Sequence, residues 1–304
     1  MTQHVAVLMG GWSAEREVSL VTGDAVCAAL KETGYRVTAI DVAPDIFDVL
    51  SGLKPDVAFN ALHGRFGEDG CIQGILEVLK IPYTHSGVLA SALAMDKPRA
   101  RQMFASVSIP CPEGRVVHRD EVLDGQVFDP PYVLKPTNEG SSVGVRLVFE
   151  GDNMSPLDEA NWAYGKQVLI EKYIPGREIQ VAVMNDKALG AIEIRPKKRF
   201  YDYEAKYTDG WADHIMPAEI PEADYEESLR LALLAHQTLG CRGVTRSDLR
   251  YDDTITGEAQ LYMLEVNTQP GMTPLSLVPE IAAHIGISFA ELTDLIVQDA
   301  GCQR

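Results

Sequence analysis

The sequence predicts an open, largely parallel α/β sheet at the amino terminus, followed by a small α+β unit and then a larger α+β unit. Three observations support this fold class. Strand and helix patterns alternate in β-α-β-β-α order over the first ninety-odd residues, the pattern changes near residue 97, and a turn-rich linker joins two late strands into a hairpin. The predicted domains are 1–96, 97–180 and 181–304.

Hydrophobic periodicity locates the elements of the first domain. Gly10-Gly11 follows the first predicted strand, at the edge where such sheets bind ligands. The sequence has neither a G-x-G-x-x-G nor a G-x-x-x-x-G-K-[ST] pattern, which argues against a dinucleotide fold and against a P-loop. The predicted strands are 5–9, 35–41 and 56–61, and the predicted helices are 13 to about 30 and 72–79.

The later domains contain shorter strands and more Gly and Pro. A Pro130-Pro131 pair precedes the first strand of the central unit, and a long helix divides the strands of the last unit. The predicted central elements are strands 132–135, 143–148 and 168–172 with a helix around 154–164, and the predicted carboxy-terminal elements are strands 178–185, 187–195, 243–251 and 260–267 with a helix at 225–239.

Composition excludes several classes of protein. The chain has 304 residues and a formal net charge of −17, which argues against nucleic acid or an anionic membrane as a partner. No apolar run approaches the roughly 20 residues that span a bilayer, and the amino terminus lacks the basic region of a signal peptide. The five cysteines form no C-x-x-C pair, which is typical of a reduced cytoplasmic protein.

The late hairpin carries the strongest chemical signal. Strand alternation puts Arg246 and Asp248 on one face of the first strand, and Met263, Glu265 and Asn267 on one face of the second. A hairpin symmetric about residues 256–257 places Asp248 opposite Glu265 and Arg246 opposite Asn267. Carboxylate and amide oxygens suit a hard cation such as Mg²⁺. The alternative is an amphipathic hairpin with exposed polar side chains.

The hairpin ends in Gln269-Pro270-Gly271, a pattern that predicts a type II turn with positive φ at the glycine. Such a turn points a backbone N–H into the site beyond the predicted metal.

Two further segments suit a nucleotide. The small residues and hydroxyls of 139–144 can cradle phosphate oxygens, with Lys135 at the end of the preceding strand, although a flexible hairpin is the alternative. The strand 168–174 offers main-chain groups for an adenine edge. Glu178, a few residues further on, can accept hydrogen bonds from ribose hydroxyls.

Two acidic loops and an aromatic segment are the remaining candidate site segments. Glu15 lies in the first turn of a helix, where simple compensation of the helix dipole is the alternative. The segment 63–70 follows the third strand, so the two loops together predict a pocket for an ammonium group. The segment 199–207 is either a solvated loop or a lid that carries Lys206 and Tyr207.

Six motifs, in order along nearly the whole chain, closely resemble those of the D-alanine–D-alanine ligases, an ATP-grasp family of bacterial cell-wall synthesis. Trp12 and Gln269 depart from the family pattern, and Trp12 is expected to alter the floor of the first substrate site. The motifs are Gly10-Gly-Trp-Ser-Ala-Glu-Arg-Glu17, His63-Gly-x-x-Gly-Glu-Asp-Gly70, Met95-Asp-Lys97, Glu139-Gly-Ser-Ser-Val-Gly144, Tyr203-Glu-Ala-Lys-Tyr207 and Glu265-Val-Asn-Thr-Gln-Pro-Gly-Met-Thr273.

The resemblance implies an ATP-grasp fold, with ATP between the central and carboxy-terminal domains. It also implies two steps: a D-alanine carboxylate attacks the γ-phosphate to give an acylphosphate, and the amine of a second D-alanine then displaces phosphate. Asp248, Glu265 and Asn267 would hold two Mg²⁺ ions, with Mn²⁺ as an alternative, and Glu265 would bridge them.

The resemblance also assigns the remaining residues. Arg246 and the Gly271 amide would stabilise the developing charge, Glu15 and His63 would serve the first substrate, and Ser276 and Leu277 would receive the second. Ser141 and Tyr207 would tie the lid to Glu15. The nucleotide would be bound by Lys97, Lys135, Glu139, Ser142, Glu171, Lys172, Ile174, Glu178 and Lys206.

The resemblance further implies a cytoplasmic homodimer. Two rivals stay open, a ligase that joins D-alanine to D-lactate and a non-catalytic nucleotide sensor on the same fold. Tyr207 argues against the first, because relatives that use the hydroxy acid tend to lack a matching lid tyrosine. Retention of Arg246 and the metal ligands argues against the second.

Overall fold

A computed structural model gives the fold of this chain. The predicted lid at 199–207 and most of the predicted helix around 154–164 lie outside the described residues. Those described are 2–123, 127–140, 143–152, 157, 162–197, 211–254, 257 and 259–303.

The amino-terminal part is built on a parallel sheet, as predicted. Over the described residues its strand order is β2-β1-β3, and the central strand pairs in parallel with both neighbours. Parallel strands need crossover connections, and a helix at Ile46–Leu53 that the sequence analysis missed connects the second strand to the third. The elements are β1 (His4–Met9), α1 (Arg16–Glu32), β2 (Arg36–Asp41), α2 (Ile46–Leu53), β3 (Val57–Asn60), α3 (Cys71–Leu79) and α4 (Val88–Met95).

The central part is an antiparallel sheet that follows a helix. Its order over the described residues is β4-β7-β5-β6, and the predicted strands are present, together with a first strand that the patterns did not reveal. The elements are α5 (Lys97–Ser106), β4 (Gly114–His118), α6 (Arg119–Leu123), β5 (Tyr132–Pro136), β6 (Arg146–Val148) and β7 (Gln167–Lys172).

The carboxy-terminal sheet is antiparallel, with the order β10-β9-β8-β11-β12 in the part of the chain that is described. The four predicted strands and the long helix are confirmed. The predicted domain boundary at 180/181 lies inside β8, and the domain limits themselves stay a prediction. The elements are β8 (Arg177–Met184), β9 (Lys187–Pro196), β10 (Ala212–Ile215), α7 (Glu222–Leu239), β11 (Val244–Asp252), β12 (Gln260–Asn267), α8 (Leu277–His284) and α9 (Phe289–Gln298).

The β11–β12 hairpin has the predicted pairing at the site but reaches it through a bulge. Asp248 pairs with Glu265, whereas the next residue, Leu249, pairs with Met263, so Leu264 is the extra residue. The prediction that Met263 shares a face with Glu265 is therefore wrong. Met263 is fully buried in the core, while Leu264 and Glu265 both line a cavity.

Two buried amides join the amino-terminal sheet to the turn after β12. The Asn60 Nδ2 group donates to Gln269 Oε1 at 3.1 Å, and the Gln269 Nε2 group donates to the Asn60 carbonyl oxygen. Apolar residues of β1, α1 and β3 also share one core with residues of β8, β9 and α8. None of the described helices is long and apolar enough to span a membrane.

Gln269→Ala is expected to lower the free energy of unfolding by about 1–3 kcal/mol, because it removes the Gln269 donor from the buried Asn60 carbonyl oxygen and leaves the Asn60 Nδ2 group with only the Gly67 carbonyl oxygen. Urea titration of the two proteins measures the difference. The matched control is Gln298→Ala, which removes an exposed glutamine that bonds to Asp294 and should change stability by less than about 0.5 kcal/mol. Equal effects of the two substitutions would contradict the structural role of the Asn60–Gln269 pair.

Candidate active site

Two cavities meet above the cleft face of the carboxy-terminal sheet. The large cavity, of about 370 Å³, lies between β5–β7 of the central sheet and β8, β9, β11 and β12. The small cavity, of about 70 Å³, lies between the loops that follow β1 and β3 and the segment that follows β12. Both cavities are lined by Lys97, Glu139, Gly140 and Glu265, so these residues mark the junction.

Cross-strand pairing sets the polar face of the sheet. Gln180, Asp248 and Glu265 lie in one row across β8, β11 and β12, and Arg246 pairs with Asn267 in the neighbouring row. The structure thus brings together Asp248, Glu265 and Asn267, the residues predicted to hold a metal. Gln180 is a fourth polar residue at this point, and the sequence analysis did not identify it because the register between β8 and β11 is not visible in the sequence.

Each carboxylate of the row is held by a cation. The Arg246 guanidinium contacts Asp248 through two hydrogen bonds of 2.7 and 3.0 Å. The Lys97 ammonium lies 2.8 Å from Glu265 Oε2 and donates to the Glu139 carbonyl oxygen at 2.7 Å. Burial opposes the charge of Lys97, but the carboxylates of Glu265 and its neighbours outweigh it and raise the pKa of the amine.

The oxygen atoms of the predicted metal-binding residues suit a divalent cation that also binds oxygen atoms of a substrate. They are two carboxylates and the Asn267 amide oxygen, which accepts from the Gln269 N–H at 2.8 Å. No group of three or more His, Cys, Asp and Glu side chains poised for a metal occurs among the described residues. A set of oxygen atoms that leaves several positions to phosphates and water is the pattern that Mg²⁺ uses.

The large cavity receives the residues predicted to bind the nucleotide. Glu171 is buried and contacts both the Lys135 ammonium and the Arg101 guanidinium, and the sequence analysis missed Arg101. Glu178 accepts a hydrogen bond of 3.0 Å from the Gln180 amide. The other predicted residues on its wall are Lys97, Glu139, Lys172 and Ile174.

The small cavity receives Glu15 and His63, as predicted, together with Glu68. Ser13, where the predicted helix was to begin, lies before α1 and ties the two loops together: its hydroxyl donates to the His63 carbonyl oxygen at 2.7 Å and accepts from the Glu15 N–H at 3.1 Å. Gly64 is required beside Glu15, because a Cβ atom there would lie 2.4 Å from Glu15 Oε2 and its φ is +70°. The two loops are therefore packed tightly around one carboxylate.

Burial controls the charge of the groups around Glu15. The His63 ring contacts Thr22 Oγ1 at 2.9 Å and Glu68 Oε1 at 3.2 Å. Burial lowers the pKa of His63 and raises the pKa of Glu68 to about 8. Both shifts favour the neutral forms of these two groups. The sequence analysis singled out the motif that contains Glu68 but not this residue.

The turn after β12 corrects the prediction for Gly271. Its φ is not positive, so the chain does not form the predicted type II turn there. The glycine is required by space instead, because a Cβ atom would lie 2.8 Å from Ser276 Oγ. That hydroxyl accepts from the Thr273 N–H at 2.9 Å, and Gly271, Ser276 and Leu277 all line the small cavity.

Trp12 lines neither of these two cavities. It packs on Phe66, with ring centroids 5.0 Å apart, and lines an apolar cavity that shares His63 with the small one, so its expected effect on the floor of the first substrate site stays a prediction. Four predicted site residues lie outside the described part of the chain: Ser141, Ser142, Lys206 and Tyr207.

Comparison with known proteins gives one family. The model described as "D-ala D-ala ligase C-terminus" matches residues 112–298, and "D-ala D-ala ligase N-terminus" matches residues 49–86. The D-alanine–D-alanine ligase of Parvibaculum lavamentivorans is 56% identical over 99% of both chains, and that of Methylorubrum populi is 57% identical over 100% of both. The crystal structure of the Bacillus anthracis D-alanine–D-alanine ligase complexed with ATP is 33% identical and covers 98% of this chain and 97% of that chain, with a TM-score of 0.82.

Glu68→Gln is expected to become more stable relative to the original protein as the pH rises from 5 to 8. The pKa of Glu68 is raised on folding, so the unfolded chain releases this proton near pH 4.5 while the folded protein keeps it to about pH 8. The original protein therefore loses stability across this window and the variant does not. We expect a relative change of about 2 kcal/mol or more, since one pKa unit corresponds to about 1.4 kcal/mol.

Urea titrations at several pH values measure this difference. Replacement of the exposed Glu32 by Gln is the control, and its curve should run parallel to that of the original protein. A parallel curve for Glu68→Gln as well would contradict a neutral carboxyl at this position.

Proposed function

The chain belongs to the D-alanine–D-alanine ligase family, and on that premise we propose that it joins two D-alanine molecules in an ATP-dependent reaction. One observation carries the proposal: the small cavity that contains Glu15 opens directly onto a larger cavity lined by lysines. Lys97 and Glu265 stand at the junction. An amino acid and a nucleotide phosphate would therefore meet beside the paired carboxylates.

ATP occupies the large cavity in this proposal. Its adenine lies near Glu171, Lys172 and Ile174, and Glu178 accepts from the ribose hydroxyls. Lys135, together with the loop 139–144 that contains Ser142, holds the phosphates. Lys206 joins them from the lid. Phosphoryl transfer depends on positioning and charge neutralisation, and these residues supply both.

Asp248, Glu265 and Asn267 would hold two Mg²⁺ ions, with Mn²⁺ as a substitute. When bound, the ions neutralise charge on the phosphate oxygens. Arg246 and Lys97, which contact the two carboxylates in this structure, then become available to the oxygens of the transferring phosphoryl group.

The first D-alanine binds with its ammonium group at Glu15 and with His63 nearby. Its carboxylate, directed to the junction, attacks the γ-phosphate, so that a C–O–P linkage forms and ADP leaves. Ser141 and Tyr207 connect to Glu15 and close the lid, which excludes water from the acylphosphate.

The second D-alanine binds with its carboxylate at Ser276 and Leu277, where α8 begins. The first N–H groups of a helix favour an anion. Its amine attacks the acylphosphate carbonyl, and the tetrahedral intermediate expels phosphate. Arg246 and the Gly271 N–H donate to the oxyanion in this step.

We also propose that the protein is a cytoplasmic homodimer that serves peptidoglycan synthesis. The rival activities are not favoured. The curated relatives are D-alanine–D-alanine ligases by name, and the residues whose loss would suit a sensor are retained and line the cavities.

The test of this proposal is ADP release with D-alanine as the sole amino acid. One ADP and one phosphate should appear for each dipeptide formed, with L-alanine as the control that gives neither. Addition of D-lactate should not divert the product to an ester. ADP release without dipeptide, or a dominant ester product, would contradict the proposed activity.

Glu265→Gln is expected to leave the fold intact and reduce turnover by about a hundredfold or more, in line with the loss of one electrostatic group in an active site. The amide keeps the shape of the side chain but leaves Lys97 without its carboxylate partner. Turnover is measured by coupled ADP release, and folding by circular dichroism. Replacement of the exposed Glu291 by Gln is the matched control. Retention of more than about a tenth of the original rate would contradict the role of Glu265.

A further inference from the structure

Gln180 occupies a central place in the cleft that neither the motifs nor the family assignment explains. It is the cross-strand partner of Asp248, which in turn pairs with Glu265. Because side chains alternate along a strand, Gln180 also shares a face with Glu178, two residues earlier on β8. Gln180 therefore stands between the residue proposed for the ribose and the residues proposed for the metal.

The two ends of the Gln180 amide are used differently. The Nε2 group donates to Glu178 Oε1 at 3.0 Å. This contact fixes the orientation of the amide, since the opposite orientation would place two acceptor oxygens against each other. The Oε1 atom is buried and has no hydrogen-bond partner among the described residues, although Gln180 lines the small cavity.

A buried amide oxygen without a donor is costly, typically by about 1–3 kcal/mol. Its neighbours in the row, Asp248 and Glu265, are acceptors. A phosphate group of the nucleotide likewise presents acceptor oxygens and cannot satisfy the Gln180 oxygen. A donor that arrives with the ligands can make this hydrogen bond, and a water molecule bound to a divalent cation is such a donor.

We propose that Gln180 is a positioning residue for the metal–nucleotide complex. Its amide oxygen accepts a hydrogen bond from a water molecule on the Mg²⁺ held by Asp248 and Glu265, while its amide nitrogen holds Glu178 for the ribose. The inference rests on the proposed use of Mg²⁺ and ATP. It predicts that Gln180 strengthens the dependence of ATP binding on Mg²⁺, beyond any effect on the fold.

The experiment measures the dissociation constant for ATP by calorimetry, without D-alanine, first with EDTA and then with saturating Mg²⁺. The ratio of the two constants reports the coupling between metal and nucleotide. Gln180→Leu removes both hydrogen-bonding ends and should lower this ratio by about three- to tenfold, the usual range for one hydrogen bond. Gln180→Glu keeps an acceptor oxygen but cannot donate to Glu178. It should weaken ATP binding in EDTA and leave the ratio at or above the original value.

Gln73→Leu is the matched control. Gln73 is also buried, its Nε2 group also makes one hydrogen bond, to the Gly67 carbonyl oxygen, and its Oε1 atom also lacks a partner in the described part of the chain. It lines neither of the two site cavities. The ratio for Gln73→Leu should equal that of the original protein even where its stability falls.

The outcomes separate this inference from the proposed function. An original protein whose ATP binding does not depend on Mg²⁺ would overturn the proposed metal and the inference together. An original protein with Mg²⁺-dependent binding and an unchanged ratio in Gln180→Leu would overturn the inference alone. A ratio in Gln180→Glu as low as that in Gln180→Leu would also overturn the inference alone. If Gln180→Leu does not fold, the ratio in Gln180→Glu decides the matter.

Discussion

Two carboxylates lie side by side on adjacent strands, and much of the site depends on how the protein accommodates them. Asp248 and Glu265 are direct cross-strand partners, a position in which like charges destabilise a sheet. Arg246 contacts the first and Lys97 the second. Burial of an unpaired charge costs far more than burial of a pair, so the four side chains act as one unit. The carboxylates can release these cations only when other positive charge replaces them.

The bulge at Leu264 allows these four charged side chains to face the cleft while the core beneath the sheet stays apolar. Strict alternation would place Met263 on the same face as Glu265, in the cleft. With one extra residue, Met263 and Val266 reach the core beneath the sheet while Leu264 and Glu265 face the large cavity. The wall of the large cavity thereby gains an apolar side chain next to the carboxylate.

The sequence predicted what alternation and motif spacing determine, namely the parallel amino-terminal sheet, the late hairpin and the facing of Asp248 and Glu265. Prediction from the sequence failed for features that depend on the three-dimensional arrangement of the chain. The bulge, the partner strand of Gln180 and the neutral state of Glu68 all depend on contacts between distant segments. Gly271 shows the same limit, since a Pro-Gly pair predicts a turn with positive φ, whereas the observed glycine is needed to make room for Ser276. The short helix α2 was missed because eight residues give little periodicity.

The distribution of charge between the cavities also bears on the proposed orientation of the substrate. The chain as a whole carries a net charge of −17, so attraction of an anion must be local. The lysines Lys97 and Lys135 line the large cavity, whereas the small cavity presents Glu15 together with His63 and Glu68, whose pKa values burial shifts towards the neutral forms. If Glu68 were ionised, a second negative charge would stand beside Glu15 and extend the negative potential towards the junction. With Glu68 neutral, that second charge is absent. A zwitterionic amino acid would then bind with its ammonium group at Glu15 and its carboxylate at the junction, which is the orientation that the proposed transfer of a phosphoryl group to that carboxylate requires.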